Sequence, residues 1–301
     1  MKKSKLIVIG SINNDLVIEV KKPPVMGETV LGGGFMQASG GKGANQAVAA
    51  ARLGADVAFV GAVGDDSFGA GLLKNLSDNG VRVDRVKTAR GIPTGTAMII
   101  VCEGDNYIAV NPGANMAVDK NLLELAEAEF DSADMAVVQL EIPLETVRQA
   151  MKICAEKGIP VLLNPAPAQA LDAEILSMAD ICTPNESETF SLTGILPATP
   201  EEAIEAAKRL EKMGAKKVVI TLGGNGCVYG SEGKFKHAPA VNSGPVVDTT
   251  AAGDSFSAAL AVALTEGKTL EQAVIFATKT GSVTVTRKGA QPSLPYRNEL
   301  E

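Results

Sequence analysis

Short apolar runs rich in β-branched residues alternate along the chain with longer runs whose apolar positions recur at helical spacing. The short runs predict buried strands at 6–10 (LIVIG), 57–61 (VAFVG), 135–140 (MAVVQL), 160–164 (PVLLN), 180–185 (DICTPN) and 217–221 (KVVIT). The longer runs predict helices over 42–54, 67–80, 144–158 and 200–214, several of them ending on glycine, the residue favoured just past a helix C-terminus. A further helix, almost without a polar face, opens inside 247-VDTTAAGDSFSAALAVAL-264. Strand–helix alternation over this length implies an α/β fold: a doubly wound, mainly parallel sheet flanked by helices.

Two segments break the alternation. Residues 16–39 have no helical period and contain two prolines, which predicts a pair of strands joined by a turn. Residues 94–113 predict a hairpin turning at Glu103-Gly104-Asp105-Asn106. Both excursions fit a small β-sheet lid; the other reading makes them edge strands of the main sheet. The lid reading divides the chain into a large unit, 1–15, 40–93 and 113–301, and a lid, 16–39 and 94–112.

Ligands of open parallel sheets bind beyond the carboxyl ends of the strands. Those ends carry Ser11, Asn13 and Asp15, then Glu141, Asn164, Asn185 and Glu188, the loop 222-LGGNG-226 and the turn 248-DTTAAGD-254. One rim therefore collects carboxylates, amides and glycine loops.

Each motif admits two readings. Asp254 is an ordinary residue of a helix start, or a working carboxylate beside an N-terminus (Ala251, Ala252, Gly253) whose free N–H groups attract an anion. The glycines of 39-SGGKGANQA-47 either lay a polyol or phosphate against backbone amides, with Lys42 and Asn45 as donors, or make a tight turn before a closely packed helix. The segment is not a phosphate loop of the G-x-x-x-x-G-K-S/T type, and no G-x-G-x-x-G follows a strand. Asn185 and Glu188 form a capping box, or orient a hydrated Mg²⁺ and phosphates through water. The loop 221-TLGGNG-226 suits a phosphate or a nucleotide edge.

Composition narrows the chemistry. A single histidine, His237, in a polar hairpin-like stretch, excludes a histidine-rich zinc site and makes a His-dependent nucleophile system untenable. Four cysteines lie far apart in apolar segments and read as buried free thiols. A net charge of −7 and 4% aromatic residues argue against nucleic acid as a partner. No apolar run approaches the ~20 residues of a membrane helix, and the run after MKKSK reads as a first strand, not a signal peptide. The expected location is the cytoplasm. Assembled, these parts describe phosphoryl transfer from a nucleotide to an alcohol.

Seven stretches in order, 10-GSINND-15, 40-GGKGAN-45, the GAVGDDSFG segment, 185-NESE-188, 221-TLGGNG-226, 248-DTTAAGD-254 and 286-TRKGAQPS-293, resemble the ribokinase-like family of sugar and nucleoside kinases over essentially the full length. The resemblance implies a large α/β domain with a β lid, and transfer of the γ-phosphoryl group of Mg·ATP to O5 of D-ribose. It implies Asp254 as general base and an anion hole at Ala251, Ala252 and Gly253. Ser11, Ile12, Asn13, Asp15, Gly40, Gly41, Lys42, Gly43, Asn45 and Glu141 match sugar-contact positions. Asn185, Glu188, Thr221, Leu222, Gly223, Gly224, Asn225, Gly226, Gly253 and Thr278 match nucleotide positions. A potassium site follows only from the family, at Asp248, Thr250, Thr284, Arg287, Gly289 and Ser293; by itself 286–293 reads as a basic surface turn. Ala251 stands where many members carry glycine. Other acceptors remain open: deoxyribose, a fructose-like sugar or a nucleoside, with a non-catalytic sugar sensor as the reading from another class. Apolar residues of the lid such as Met98, Ile99 and Ile100 predict a homodimer through the lid.

Overall fold

The computed structural model describes residues 3–102 and 105–300. Its strands are β1 (Lys5–Ile9), β2 (Asn13–Glu19), β3 (Gly34–Gly40), β4 (Asp56–Gly64), β5 (Val81–Ala89), β6 (Gly95–Cys102), β7 (Asp105–Asn111), β8 (Met135–Val138), β9 (Val161–Leu163), β10 (Ile181–Cys182), β11 (Val218–Thr221), β12 (Cys227–Ser231) and β13 (Lys234–Ala238). The helices are α1 (Lys42–Arg52), α2 (Ser67–Asp78), α3 (Lys120–Leu125), α4 (Glu127–Ser132), α5 (Leu144–Lys157), α6 (Ala173–Met178), α7 (Glu186–Thr193), α8 (Pro200–Lys212), α9 (Ala252–Thr265) and α10 (Leu270–Thr284).

Nine strands form the main sheet in the order β13-β12-β11-β10-β9-β8-β1-β4-β5, parallel from β11 through to β5 and closed by an antiparallel hairpin. The two-residue period of a strand sends alternate side chains to opposite faces. Ile7 and Ile9 thus join Val138, Leu163 and Ile220 against Phe130, Met151 and Leu210 of α4, α5 and α8. Leu6 and Val8 join Val137, Leu162 and Val219 against Val48, Leu76, Leu260 and Val274 of α1, α2, α9 and α10. A parallel sheet covered on both faces reads as continuous apolar runs, which is why the chain shows no alternation there.

The chain runs from β1 to β4 on one side and returns through β8 on the other, so the order reverses between β1 and β8. That switch point is where a doubly wound sheet opens a crevice. A separate four-stranded sheet, β3-β2-β6-β7, forms the small unit. It takes in Asn13–Asp15 and Gly40, which the sequence reading assigns to the large unit. Glu103 and Gly104 of the expected hairpin turn lie outside the described residues.

Several predicted strands are shorter than expected. The run 180–185 holds a strand of two residues, because Pro184 and the Asn185 helix cap end it. The run 135–140 stops at Val138, where Gln139 turns its amide inward. Strand β5 and helices α3, α4, α6 and α10 were not foreseen; β5 alternates half-buried and exposed charged positions at the sheet edge. All four cysteines are buried and free, and His237 lies exposed on β13. Among the described residues no helix is long and apolar enough to cross a membrane.

Candidate active site

The site is built around the turn between β1 and β2. Buried Asn115 holds that turn from behind: its Oδ1 accepts from Ile12 N (2.8 Å), while its Nδ2 donates to Ile12 O (3.1 Å) and Asn13 Oδ1 (2.7 Å). Ile12 itself points into the core, so only its backbone faces the turn. Across the switch point Ser11 Oγ donates to Glu141 Oε2 at 2.5 Å.

Helix α1 then docks on this turn, and its glycines make the approach possible. A Cβ on Gly41 (φ 90°) would lie 2.7 Å from Asn13 N, and one on Gly43 would lie 2.7 Å from Ser11 N. A Cβ on Gly40 would lie 2.1 Å from Asp15 Oδ2. The close-packing reading of these glycines therefore holds. Three amides of the helix start are already engaged within the chain: Lys42 N donates to Glu141 Oε2 (3.1 Å), Gly43 N to Ser11 Oγ (3.4 Å) and Ala44 N to Ser11 O (2.9 Å). What the loop presents to a ligand is the Lys42 ammonium and the Asn45 amide, whose buried Oδ1 has no partner.

Asp254 stands on the first turn of α9 and is buried. It does not cap the helix: the N-cap is Ala251, which makes no side-chain cap. Instead Asp254 Oδ2 accepts from Asn45 Nδ2 (2.9 Å) and Oδ1 from Gln46 Nε2 (3.0 Å). Ala252 N donates back to Thr249 O (3.2 Å) and tightens the turn. Ala251 sits in the left-handed region at φ 60°, a conformation costing a non-glycine residue ~1–2 kcal/mol. Glycine at 251 would relieve that strain but adds unfolded-state entropy. Ala251→Gly is expected to stabilise the protein by about 0.5–1 kcal/mol, read as a higher urea midpoint at unchanged m-value.

A cavity of ≈ 180 Å³ opens against Asp254, lined also by Lys42, Asn164, Ala166, Thr183, Asn185, Glu188, Thr221, Thr249, Ala251, Gly253 and Ser257. Its charges are coupled. Burial, then the negative charges of Glu141 and Asp254, push Asp15 up to about 7. Burial pulls the Lys42 ammonium down, but the charges of Asp254, Glu141 and Glu188 outweigh it and its pKa is raised. Burial likewise raises Glu188, against the opposing Asn185 N–H and the Lys42 charge. A lone ammonium thus sits among carboxylates in a partly desolvated crevice.

The Asn185–Glu188 capping box is present: Asn185 Oδ1 accepts from Glu188 N (2.9 Å) and Glu188 Oε2 from Asn185 N (2.9 Å). Both residues nevertheless line the cavity, so the cap also fixes them there. On the loop after β11, Thr221 reaches the cavity, Gly223, Gly224 and Asn225 form a tight turn, and Gly226 (φ 83°) passes so close to Ala238 that a Cβ would lie 2.1 Å from its carbonyl oxygen. Leu222 is a core residue. Thr278 bonds back to Val274 O of its own helix (2.9 Å).

The six cation positions do not all converge by side chain. Asp248 Oδ1 accepts from Thr250 N (2.9 Å) and Thr250 Oγ1 (2.6 Å), and Oδ2 from Gly289 N (2.8 Å). Burial works against the Asp248 charge, but these donors prevail and its pKa is lowered. Thr284 instead donates to Ser255 Oγ (2.9 Å), Ser293 to Ala290 O (2.7 Å), and Arg287 pairs with Glu299 (2.5 Å).

Sequence reasoning missed the roles of Gln46, Gln139 and Asn115. Their signal was present: each is an amide placed in a run of small or apolar residues that folds as a buried element.

A buried carboxylate beside a helix start, an ammonium, and glycine turns at the switch point of a doubly wound sheet, with a small separate β-sheet beside it, suit a phosphotransferase. The match of a family model to residues 3–297 places the boundary more narrowly: the chain belongs to the pfkB family of carbohydrate kinases. It is 46% identical to a ribokinase of Bacillus subtilis over 98% of both chains, and 41% identical to a ribokinase of Haemophilus influenzae over 98% of this chain and 96% of the other. Among solved structures, Arabidopsis thaliana ribokinase complexed with ribose and ATP superposes with a TM-score of 0.92 at 35% identity, covering 99% of this chain and 97% of that one.

Proposed function

We propose that the protein transfers the γ-phosphoryl group of ATP to O5 of D-ribose, giving D-ribose 5-phosphate and ADP. The observation that carries this is Asp254, held by two amides on the first turn of α9 at the wall of the cavity. In this reading Asp254 accepts the proton of the sugar hydroxyl as the oxygen attacks phosphorus. The amides of Ala251, Ala252 and Gly253 face the charge that grows on the transferred group, with Ala252 contributing least because it already donates to Thr249. Asn13, Asp15, Lys42, Asn45 and Glu141, with the backbone of Ser11 and Ile12 and the glycines at 40, 41 and 43, form the sugar end. Asn185, Glu188 and the 221–226 loop with Thr278 form the nucleotide end.

The donor chemistry fits the two cations expected. Glu188, a carboxylate destabilised by burial at the cavity wall, with Asn185 beside it, suits a hydrated Mg²⁺ held through water. That ion would neutralise phosphate charge. Asp248, kept ionised where the 248–250 and 285–290 segments meet, supplies the hard oxygen that a potassium ion needs. Carbonyl oxygens around Thr250, Thr284, Arg287, Gly289 and Ser293 would complete such a site. ATP chemistry and four free buried cysteines fit the cytoplasm.

The test is sugar-dependent ADP formation over a panel of ribose, 2-deoxyribose, fructose and nucleosides, with K⁺ present and omitted. Ribose is expected to give the highest kcat/KM, falling sharply for deoxyribose, because a site built to bond a hydroxyl is left with unpaired polar groups when it is missing. Absence of ADP with every sugar would reduce the protein to a sensor. Equal use of deoxyribose would remove the ribose assignment alone.

The lid carries exposed Phe35, Met98, Tyr107, Ile108 and Val110, while Ile99 and Ile100 are half-buried. Covering such a patch favours a homodimer through the lid. Light scattering at assay concentration should give twice the chain mass; a monomer counts against this arrangement.

A further inference from the structure

Behind Asp254 lies a chain of buried amides that the phosphoryl-transfer reading does not use. Gln46 Nε2 donates to Asp254 Oδ1 (3.0 Å) and to Asn164 Oδ1 (3.0 Å). Gln46 Oε1 accepts from Gln139 Nε2 (2.7 Å), and Asn164 Nδ2 donates to Thr183 O (3.0 Å). Gln46, Gln139 and Asn164 are all buried, on α1, at the end of β8 and after β9.

The orientation of every amide in this chain is dictated from its two ends. A main-chain carbonyl and an ionised carboxylate only accept hydrogen bonds. Thr183 O therefore draws the nitrogen of Asn164 toward itself and turns the Asn164 oxygen to Gln46. Asp254 draws the nitrogen of Gln46. Both hydrogens of that nitrogen are then spent, and its oxygen faces Gln139, which must donate. The cost of the arrangement is left at the far end: Gln139 Oε1 has no partner, and it lies over Gly10, where only the lack of a side chain makes room, since a Cβ there would come within 2.0 Å of it. An unpartnered buried acceptor costs stability, so the chain is held in this one pattern at the expense of its last member.

We infer that Gln46 is a positioning residue for the reaction: with Asn45 on the other oxygen, it clamps the Asp254 carboxylate in a single plane and offers the acceptor hydroxyl the lone pairs that remain. The inference rests on the reading of Asp254 as the base. Gln46 is not part of the cavity wall; its effect is to fix the direction of proton transfer.

Gln46→Met keeps the length of the side chain and removes the donor. Turnover with ribose is expected to fall about 10- to 100-fold, the range for lost outer partners of a working group. The KM for ribose and the Kd for ATP should move less than about threefold, since the loss is felt in the chemical step. Gln46→Glu keeps both the size and the bond from Gln139 but loses the donor to Asp254; its kcat should fall at least as far, again with KM and Kd little changed. A merely structural role would lower Tm and ATP affinity and move kcat and KM together. Either that pattern, or kcat within about twofold of the parent in Gln46→Met, overturns the inference. Asp254→Asn assayed alongside separates the two claims. If it stays active the base reading itself falls, and if it is dead while Gln46→Met is not, only the positioning role falls.

Discussion

Asp254→Asn is expected to lower kcat by about 10²- to 10⁴-fold, the contribution typical of a positioned general base. The substitution keeps the size of the side chain and removes its ability to take a proton. Each oxygen of Asp254 now accepts from one donor, Asn45 Nδ2 or Gln46 Nε2, and the substitution puts an amide nitrogen against one of the two. One of those bonds is lost, so the carboxamide turns away from the line of attack as well. The residues proposed for the nucleotide end make no hydrogen bond to Asp254, whose side-chain partners are Asn45 and Gln46. Calorimetric titration with ATP should therefore give a Kd within a few-fold of the parent. Turnover surviving within a few-fold would refute the assignment of the base.

The second large effect is expected at Asp15, and it runs in opposite directions for stability and for activity. Its carboxyl has a usual value of 3.8 and is pushed up to about 7, first by burial and then by the charges of Glu141 and Asp254. A raised carboxyl binds its proton more tightly in the folded state. Its ionisation thus costs stability as pH rises from about 4 to about 7, and the cost is complete above that window. Each unit is worth ~1.4 kcal/mol, which sets a ceiling of ~4 kcal/mol that relaxation will reduce. Asp15→Asn removes this cost. The sugar-free variant should be stabilised by about 1–3 kcal/mol at pH 8 and hardly at all at pH 4. In the proposed sugar site the same change removes a charged acceptor for hydroxyls, each such bond being worth ~1.5–3 kcal/mol. The KM for ribose should accordingly rise about 10- to 100-fold. Denaturant melts at the two pH values and sugar titrations together decide it. A variant no more stable at pH 8 than the parent would show that Asp15 is not strained by its neighbours.

Such a cost is what a site that must receive a polyhydroxyl ligand requires. Groups arranged to meet hydroxyls are poorly satisfied without them, as the unpartnered Asn45 Oδ1 also shows.

The amino-acid sequence by itself determined the layers and the rim. The central strands are continuous apolar runs because both their faces are covered, and α1, α2, α5 and α8 announce themselves by period and by glycines just past their ends, whereas α10, the longest helix, ends at Val285 without a glycine and does not. Asn185 and Glu188 stood out as polar residues just past an apolar run, and Lys42 and Asp254 as charged residues among glycines and small residues at helix starts. Edge strand β5 and the short helices α3, α4 and α6 were not, since six-residue helices and edge strands owe their conformation to packing more than to local preference.

Only the tertiary structure decided what the motifs do. The glycines of 40–43 look alike in sequence, yet their purpose is to let α1 touch the β1–β2 turn, a contact between segments thirty residues apart in the chain. Whether Asn185 and Glu188 cap a helix or line a site had no answer in one dimension; in three they form the cap and line the cavity at once. Gln46 gains its place from partners 118 and 208 positions away. Spacing along a strand or helix is set by local geometry and can be read locally; which side chains meet across elements is set by how the layers close, and that is known only once they have closed.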